Sequence, residues 1–522
     1  MVKKSFTLYD TTLRDGNQAL QISFSLKDKL QMTEQLDLAG IHYIEGGWPN
    51  PTHLTDVNYF QEVKKLNLKH SRIAAFGSTR RAHQKAKDDP IFKALLDVET
   101  ETVTIFGKSW DLHVTHVLKT TLPENLKMIE DSVAYLKSQG REVIYDAEHF
   151  FDGYQHHHDY ALKTLRAAVE GGADLIVLCD TNGGTLPDQV EKIYQAVEKQ
   201  VKTTLGVHFH NDSGLGVANS ILCAQLGTQQ IQGTFNSYGE RCGNANLSTI
   251  IPNLKLKLGI DCISDENLKK ITPLSVFIAE IANLPHDIRQ PFVGESAFSH
   301  KGGAHIDGVL KISESFEHID PQKVGNKRSY VLSDQAGGSM ILERIKKLDS
   351  HLTKNDQAVK TLLHKVKDME SQGYHFEAAD ASFELLAMKT LGKFEEFFSI
   401  KGYRVIEEKR EDGAVYAEAM IKIQSGDRIE HTAAEGLGPL NALDNAVRKA
   451  LSKFYPALQN VHLADFKVRV VEGRDGTAAK VRVLIQSTDG DKTWGTVGVS
   501  SNIIEAAWIA LVDSLNYKLL KG

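Results

Sequence analysis

The sequence predicts an α/β protein that begins with a (β/α)8 TIM barrel and continues into a helical linker domain and a C-terminal α+β domain. Three observations indicate this architecture. Eight short β-rich runs alternate with helical stretches over about the first 260 residues, which is the count and length of such a barrel. Several of these runs are continuously apolar, as strands covered on both faces are. The last part of the chain contains a duplicated βββα unit.

The predicted barrel domain occupies residues 1–270. Its strand candidates are Phe6–Asp10, Tyr43–Gly47, Ile73–Gly77, Val103–Phe106, Glu142–Ala147, Leu175–Cys179, Leu205–His210 and Ile231–Phe235. The helical stretches between them include Leu26–Ala39, Glu124–Ser138, Tyr160–Glu170, Gln189–Lys199, Val217–Leu226 and Leu247–Leu258. An open doubly wound sheet is the alternative, but such a sheet rarely needs eight parallel strands, so the pattern favours the barrel.

Residues 271–397 are predicted to form a smaller helical domain that contributes to the active site. Helices are expected at Asp356–Met369 and Ala379–Leu391, from their apolar spacing. The segment Phe298–Gly308 is rich in glycine and histidine, and we expect an irregular functional loop there.

Residues 398–522 form the third predicted domain, which contains the repeat. Its two helices are predicted to begin near Asn441 and Asn502, because asparagine is a favoured N-cap residue. A duplicated unit without a catalytic cluster suits dimerisation and the binding of an effector.

The composition is that of an ordinary globular protein. Of 522 residues 41% are apolar and 25% charged, and 61 basic against 67 acidic side chains give a net charge of −6. These values exclude disordered and fibrous proteins and predict no binding of nucleic acid or membrane. No signal peptide and no spanning helix are predicted. Four widely spaced cysteines are typical of a reducing compartment and predict a cytoplasmic protein.

The strongest local motif is His208-Phe209-His210-Asn211-Asp212, at the end of the seventh predicted strand. Side chains at i and i+2 of a strand face the same way, so His208 and His210 would point together into the barrel mouth, where barrel active sites lie. Two imidazoles there are good metal ligands. A hydrogen-bonded histidine pair that lines a polar mouth is the alternative.

Two further motifs follow the first and the eighth strands, which in a closed barrel lie next to one another and near the seventh strand. After the first strand, Arg14 could stabilise an anion, and Asp15 could supply an oxygen ligand. Taken alone, this segment is better explained as an Asp-Gly turn with a structural ion pair. After the eighth strand, the loop Gly239–Asn246 carries Asn244, whose carbonyl oxygen could also bind a metal. The mixed nitrogen and oxygen set suits Mn²⁺, Mg²⁺, Zn²⁺ or Co²⁺ without choosing among them.

Taken together, the motifs resemble the DRE-type TIM-barrel metallolyases, in the branch that holds 2-isopropylmalate, homocitrate and citramalate synthases. The resemblance covers essentially the whole chain. The motifs that carry it are D-T-T-L-R-D-G-x-Q, H-F-H-N-D, G-E-R-x-G-N and H-x-x-x-x-H-x-D-G. The runs most similar to the bacterial citramalate-forming subgroup are Glu45–Pro51, Ala75–Ala82 and Tyr145–Tyr154. The tail resembles the regulatory domain of these synthases.

The resemblance implies a metal site and a residue that acts beside it. Asp15, His208 and His210 would bind the divalent metal, and Asn244 is a nearby candidate ligand. Arg14 would stabilise the enolate or the developing alkoxide of the reaction.

The resemblance also implies residues that bind the substrate and move protons. Glu148 and Thr181 would line the α-keto acid pocket, and Glu148 would take part in proton transfer. His305, from the helical domain of the same or a neighbouring subunit, would be an acid or base. The alternatives are a structural carboxylate at Glu148 and a hydrogen bond that braces a loop at His305.

Two positions depart from the family pattern. Many relatives carry a tyrosine where this chain has Phe316, and its hydroxyl can assist the catalytic proton network. Relatives more often carry serine where this chain has Ala336. Both departures bear on the contribution of the helical domain.

The implied reaction is a Claisen-type condensation of acetyl-CoA with an α-keto acid. With pyruvate the product is citramalate, which leads to 2-oxobutyrate and isoleucine. The alternatives are a 2-isopropylmalate or homocitrate synthase, a metal-dependent aldolase or lyase, and a non-catalytic amino-acid sensor. The duplicated tail argues against a lyase, and the intact ligand set argues against a sensor. The resemblance further implies isoleucine as the effector and a homodimer.

Overall fold

The computed structural model describes residues 6–50, 54–330, 338–353, 355–376, 378–409, 411, 413–471 and 478–522. The chain divides into two compact units. The first contains Met1–Phe298 and Ile319–Arg328, and the second contains Ser299–His318 and Ser329–Gly522. The bounds of the three domains predicted from the sequence stay predictions.

The first unit is built on a closed parallel barrel, which confirms the predicted fold. The strands are β1 (Thr7–Asp10), β2 (Tyr43–Gly47), β3 (Arg72–Ser78), β4 (Thr102–Lys108), β5 (Glu142–Glu148), β6 (Leu175–Asp180), β7 (Leu205–Phe209) and β8 (Gln230–Gly233). They pair in sequence order, and β1 closes the barrel by pairing with β8. Most of their residues are buried, which explains their continuous apolar runs, and the alternative of an open sheet is wrong.

Helices follow most of the strands and continue beyond the barrel. They are α1 (Leu26–Leu38), α2 (Leu54–Glu62), α3 (Pro90–Asp97), α4 (Leu122–Ser138), α5 (Phe150–Glu170), α6 (Pro187–Gln200), α7 (Gly216–Gln225), α8 (Leu247–Pro252), α9 (Asp265–Leu268) and α10 (Ile271–Ile281). Capping side chains determine where several of these helices begin. Ser25 and Asp28 form a capping box on α1, and Asp89 caps α3 with Pro90 as its first residue. In the described part of the chain, no helix combines the length and apolar character that a membrane crossing requires.

The second unit begins with two short parallel strands, β9 (Ser299–His300) and β10 (Ser329–Tyr330). Its next helices are α11 (Gly303–Lys311), α12 (Gly338–Ile345), α13 (Gln357–Ser371) and α14 (Asp380–Thr390). The irregular loop predicted at Phe298–Gly308 is partly wrong, because its second half lies in α11. The glycines there disfavour a helix, but Ile306 and Val309 bury their side chains and stabilise it.

The βββα repeat is present in the rest of the second unit. The first copy is β11 (Ser399–Lys409), β12 (Val415–Ser425), β13 (Arg428–Gly436) and α15 (Pro439–Leu451). The second copy is β14 (His462–Val470), β15 (Val481–Thr488), β16 (Thr493–Ser500) and α16 (Ile503–Lys521). Each copy forms a three-stranded antiparallel sheet.

The two predicted N-caps have different outcomes. Asn502 caps α16, where its Oδ1 accepts hydrogen bonds from the backbone N–H groups of Ile504 (2.9 Å) and Glu505 (3.3 Å). The expected cap at Asn441 is wrong, since α15 already begins at Pro439. Proline is pre-organised for the first position of a helix, and it starts α15 two residues earlier.

Candidate metal centre

Three buried side chains converge at the carboxyl end of the barrel strands. Asp15 follows β1, His208 lies in β7 and His210 comes directly after β7. Asp15 Oδ2 lies 3.5 Å from His208 Nε2 and 3.9 Å from His210 Nε2, and one ligand atom of each residue lies within 4.8 Å of the others. Atoms that share an ion at about 2.1 Å lie roughly 3–3.5 Å apart, so this arrangement is close to a preformed ligand set.

The protonation of these groups suits a cation. Burial lowers the pKa of His208 to about 3, helped by repulsion from His210, and burial also lowers the pKa of His210. Both rings are therefore neutral, the form that binds metals. Burial alone would raise the pKa of Asp15, but Arg14, both histidines and the Asn244 amide outweigh it and lower the pKa to about 2.

Asn244 lies beside this cluster, where the loop after β8 meets the end of β7. The loop is held by a β-bridge between His210 and Asn244 and by Gly243, whose positive φ of 81° and contact with the Ser237 carbonyl exclude a side chain. The Asn244 amide nitrogen donates to Asp15 Oδ2 (2.9 Å) and lies 3.2 Å from His208 Nε2. Its Oδ1 is buried without a hydrogen-bond partner. An unsatisfied acceptor beside two neutral imidazoles and a carboxylate fits a divalent ion, toward which half a turn of the amide would bring Oδ1.

Arg14 is held rigidly next to the cluster. Its Nε donates to Glu45 Oε1 at 2.6 Å, and its guanidinium lies over the Phe76 ring, 3.8 Å from the centroid. Its Nη1 lies 3.6 Å from Asp15 Oδ2. Glu45 is fully buried and also accepts a hydrogen bond from Tyr9 Oη at 2.7 Å. A fixed guanidinium at the cavity wall can stabilise negative charge that develops on a bound substrate.

A cavity of about 250 Å³ opens over the cluster. Its lining residues are Arg14, Asp15, Gln18, Trp48, Phe76, Phe106, Asp146, Glu148, Cys179, Thr181, His208, His210, Glu240 and Arg241. One wall is aromatic. Trp48 and Phe106 meet edge to face at 5.7 Å between centroids, and Phe76 and Phe106 stack at 5.5 Å. The cavity therefore has polar and charged side chains at its base and a wall of packed aromatic rings.

Glu148 and Thr181 both line the cavity, and their role in binding an α-keto acid stays a prediction. Glu148 ends β5 and forms an ion pair with Lys108, which ends β4. Thr181 follows β6, and its hydroxyl accepts a hydrogen bond from the backbone N–H of His149 at 2.9 Å. Arg241 braces the loop after β8, because its guanidinium donates to Asp212 and to the Thr181 carbonyl, each at 2.7 Å.

His305 belongs to the second unit, on α11. Its ring lies 4.5 Å from that of Phe316. A nearby pair joins His300 Nε2 to Glu317 Oε1 at 3.0 Å. The role of His305 stays a prediction, and Ala336 lies outside the described residues.

Several buried polar residues of the site were not predicted. Glu45, Asp146 and Gln232 occupy β2, β5 and β8, and each is buried. Burial, reinforced by Glu45, raises the pKa of Asp146 well above its ordinary value. A charged or amide side chain in an otherwise apolar barrel strand is the signal that would have found them.

Comparisons with known proteins agree with this geometry. Family models match three successive segments, described as HMGL-like (residues 5–278), homocitrate synthase post-HMGL domain-like (292–374) and LeuA allosteric (dimerisation) domain (377–519). The chain is 53% identical to the (R)-citramalate synthase of Aquifex aeolicus over 518 residues, 98% of each chain. It is 52% identical to that of Geobacter sulfurreducens over 516 residues, covering 99% of this chain and 98% of the relative. A 2-isopropylmalate synthase of Clostridium kluyveri is 28% identical over 525 residues, covering 99% and 97%.

The barrel and the ligand cluster at its mouth define a member of the HMGL-like class of enzymes, which is metal-dependent. Full-length identities of 44–53% show more closely that the chain belongs to the (R)-citramalate synthase family, whereas the 2-isopropylmalate synthases are more distant. It is thus an enzyme of the type that converts an acyl group into an alkyl group on transfer.

Proposed function

We propose that this enzyme condenses acetyl-CoA with pyruvate to give (R)-citramalate and CoA. The observation that carries the proposal is the convergence of Asp15, His208 and His210 below a cavity with one aromatic wall. The names of the full-length relatives support the product. The chemistry requires a polarised keto group, a base for the acetyl methyl group and a stabilised oxyanion.

Asp15, His208 and His210 would hold a divalent ion, with Asn244 as a further ligand. When bound, such an ion acts as a Lewis acid toward the carboxylate and keto oxygens of the α-keto acid. The ion is Mn²⁺, Mg²⁺, Zn²⁺ or Co²⁺ in this proposal, because the donor set suits each of them.

The side chains of the cavity would carry the remaining steps. A base removes a proton from the acetyl methyl group. Glu148, which lines the cavity, is one candidate for proton transfer, and His305 of the same or a neighbouring subunit, which is not among the cavity residues, is the other. The methyl carbon then forms the new bond to the keto carbon, whose oxygen gains negative charge and afterwards a proton. Arg14 stabilises that charge, because its guanidinium is fixed at the cavity wall. Thr181 orients the keto acid, and water finally hydrolyses the thioester to release CoA.

The test is a CoA-release assay on the purified full-length enzyme with a panel of α-keto acids and varied divalent ions. We expect the highest kcat/KM with pyruvate and no turnover after chelation. A kcat/KM with 2-oxoisovalerate far above that with pyruvate would defeat the substrate assignment.

The aromatic wall formed by Trp48, Phe76 and Phe106 supports pyruvate as the keto acid. Three large rings in mutual contact leave little freedom to accommodate a branched side chain. Replacing Phe106 with alanine is expected to raise the ratio of kcat/KM for 2-oxobutyrate over pyruvate at least about tenfold, since one methylene group is worth about 1–3 kcal/mol in an apolar pocket. Steady-state kinetics with both keto acids measure this ratio.

The matched control is Phe92→Ala on α3. Phe92 is fully buried but does not line the cavity, so its loss should lower stability without changing the keto acid preference. A preference that is unchanged in Phe106→Ala, or shifted equally in both variants, would contradict the assignment of the wall.

The match of residues 377–519 to the LeuA allosteric (dimerisation) domain supports feedback regulation, which we propose is exerted by isoleucine. Adding L-isoleucine is expected to lower the initial rate of the full-length enzyme, because a biosynthetic product that binds the tail would favour a less active state. Initial rates at increasing L-isoleucine test this, with D-isoleucine as the matched control. Equal effects of both enantiomers, or stronger inhibition by L-leucine, would contradict the effector assignment.

The same match supports a homodimer, which light scattering would detect as twice the chain mass of 57.9 kDa. The four cysteines are unpaired, and the proposed location is the cytoplasm, where thiols stay reduced.

A further inference from the structure

Gln232 bridges a predicted metal ligand to a second buried side chain. It lies on β8, directly opposite His208 of β7 in the strand register, and it is fully buried. Gln232 Oε1 lies 3.0 Å from His208 Nδ1, and Gln232 Nε2 donates to Asp146 Oδ1 at 3.1 Å. Three strands thus contribute to one hydrogen-bonded chain below the cavity.

The direction of this chain follows from what each atom can donate. In the structure the Gln232 amide presents its NH₂ group to Asp146 Oδ1, an oxygen that can accept this hydrogen bond whether or not the other oxygen of Asp146 is protonated. Gln232 therefore presents its oxygen to His208. An oxygen acceptor at Nδ1 requires that Nδ1 carries the hydrogen of the neutral ring, which leaves the lone pair on Nε2. Nε2 is the nitrogen that faces Asp15 at 3.5 Å.

We propose that Gln232, oriented by Asp146, is a positioning residue that fixes His208 in the tautomer and ring orientation needed to bind the metal ion. This inference rests on the proposed function, since it assumes that His208 is a ligand. Gln232 acts through His208 and not on the substrate, because it does not line the cavity. Removing a residue that hydrogen-bonds to a metal ligand typically lowers the affinity for the metal about 10- to 100-fold.

The decisive variant is Gln232→Leu, which keeps the approximate volume but removes both hydrogen bonds. Chelator-treated full-length protein is titrated with Mn²⁺ alone, and binding is followed through the EPR signal of the free ion. We expect the Kd for Mn²⁺ to rise about 10- to 100-fold. Gln230→Leu is the matched control, because Gln230 lies on the same strand, is also buried, and donates to Thr7 Oγ1 instead of to a residue of the metal cluster. Its Kd should stay within about twofold of wild type.

A second pair of variants keeps the proposal testable if Gln232→Leu does not fold. Gln232→Glu retains an oxygen acceptor for His208 and should retain the wild-type Mn²⁺ affinity. The asparagine in Asp146→Asn can offer its own NH₂ group to Gln232. The Gln232 side-chain amide is then no longer held in one orientation, and the affinity for Mn²⁺ should fall. Wild-type affinity in both Gln232→Leu and Asp146→Asn, or an equal loss in Gln230→Leu, would overturn the inference while leaving the metal site intact. Wild-type protein that binds no Mn²⁺, Mg²⁺, Zn²⁺ or Co²⁺ would instead overturn the metal site and this inference with it.

Discussion

Replacing His208 with alanine is expected to lower kcat by about 10³-fold or more and to abolish tight binding of a divalent ion. The side chain is buried, and its Nε2 lies 3.5 Å from the Asp15 carboxylate that would share the ion. A Lewis acid contributes several kcal/mol to charge stabilisation, and roughly 4 kcal/mol corresponds to a factor of about 10³. The measurements are kcat under saturating substrates and the metal content of dialysed protein.

The control for His208→Ala is His42→Ala. His42 accepts a hydrogen bond from the Leu8 backbone N–H at 3.2 Å, and it does not line the cavity. We expect its loss to affect stability while metal content and the pyruvate KM stay unchanged. Excess Mn²⁺ should restore activity to chelated wild-type enzyme but not to His208→Ala. Full activity of His208→Ala at wild-type metal content would contradict the ligand assignment.

The barrel could be predicted from the sequence because its strands are short, buried and separated by helices with clear starts. All eight predicted strands are present, with bounds that shift by one or two residues at most. The seventh ends at Phe209, and His210 instead forms an isolated bridge with Asn244. Strand alternation still placed both imidazoles on the same side, since the extended backbone continues to His210. The metal cluster could therefore be predicted from three motifs and the closure of the barrel.

The residues that surround the cluster could not be predicted as easily. Glu45 and Asp146 place carboxyl groups inside an apolar barrel, and only the tertiary fold shows that Arg14 pairs with Glu45 and that Gln232 reaches Asp146. Such contacts join positions that are far apart in sequence, and no local pattern encodes them. Helix α11 was missed for a related reason, because packing of its apolar side chains overrides the low helix propensity of its glycines.

The second large effect is expected for Arg14→Lys, which should lower kcat about 10²- to 10³-fold, a typical loss when an oxyanion-stabilising donor is removed. Lysine retains the positive charge that the buried Glu45 requires, so the fold should persist. Lysine lacks the planar guanidinium of Arg14, whose Nε lies 2.6 Å from Glu45 Oε1 and which lies over the Phe76 ring. The charge would then no longer be fixed at the cavity wall.

The control for Arg14→Lys is Arg80→Lys. Arg80 is also buried and paired with two acids, Glu124 at 2.8 Å and Asp131 at 2.7 Å, but it does not line the metal cavity. Its replacement should lower thermal stability and leave kcat within about threefold of wild type. Because Arg14 is not a metal ligand, the Mn²⁺ affinity of Arg14→Lys should also stay within about threefold, which separates oxyanion stabilisation from damage to the ligand set. A kcat for Arg14→Lys as high as that of Arg80→Lys would show that the guanidinium of Arg14 serves the fold and not the reaction.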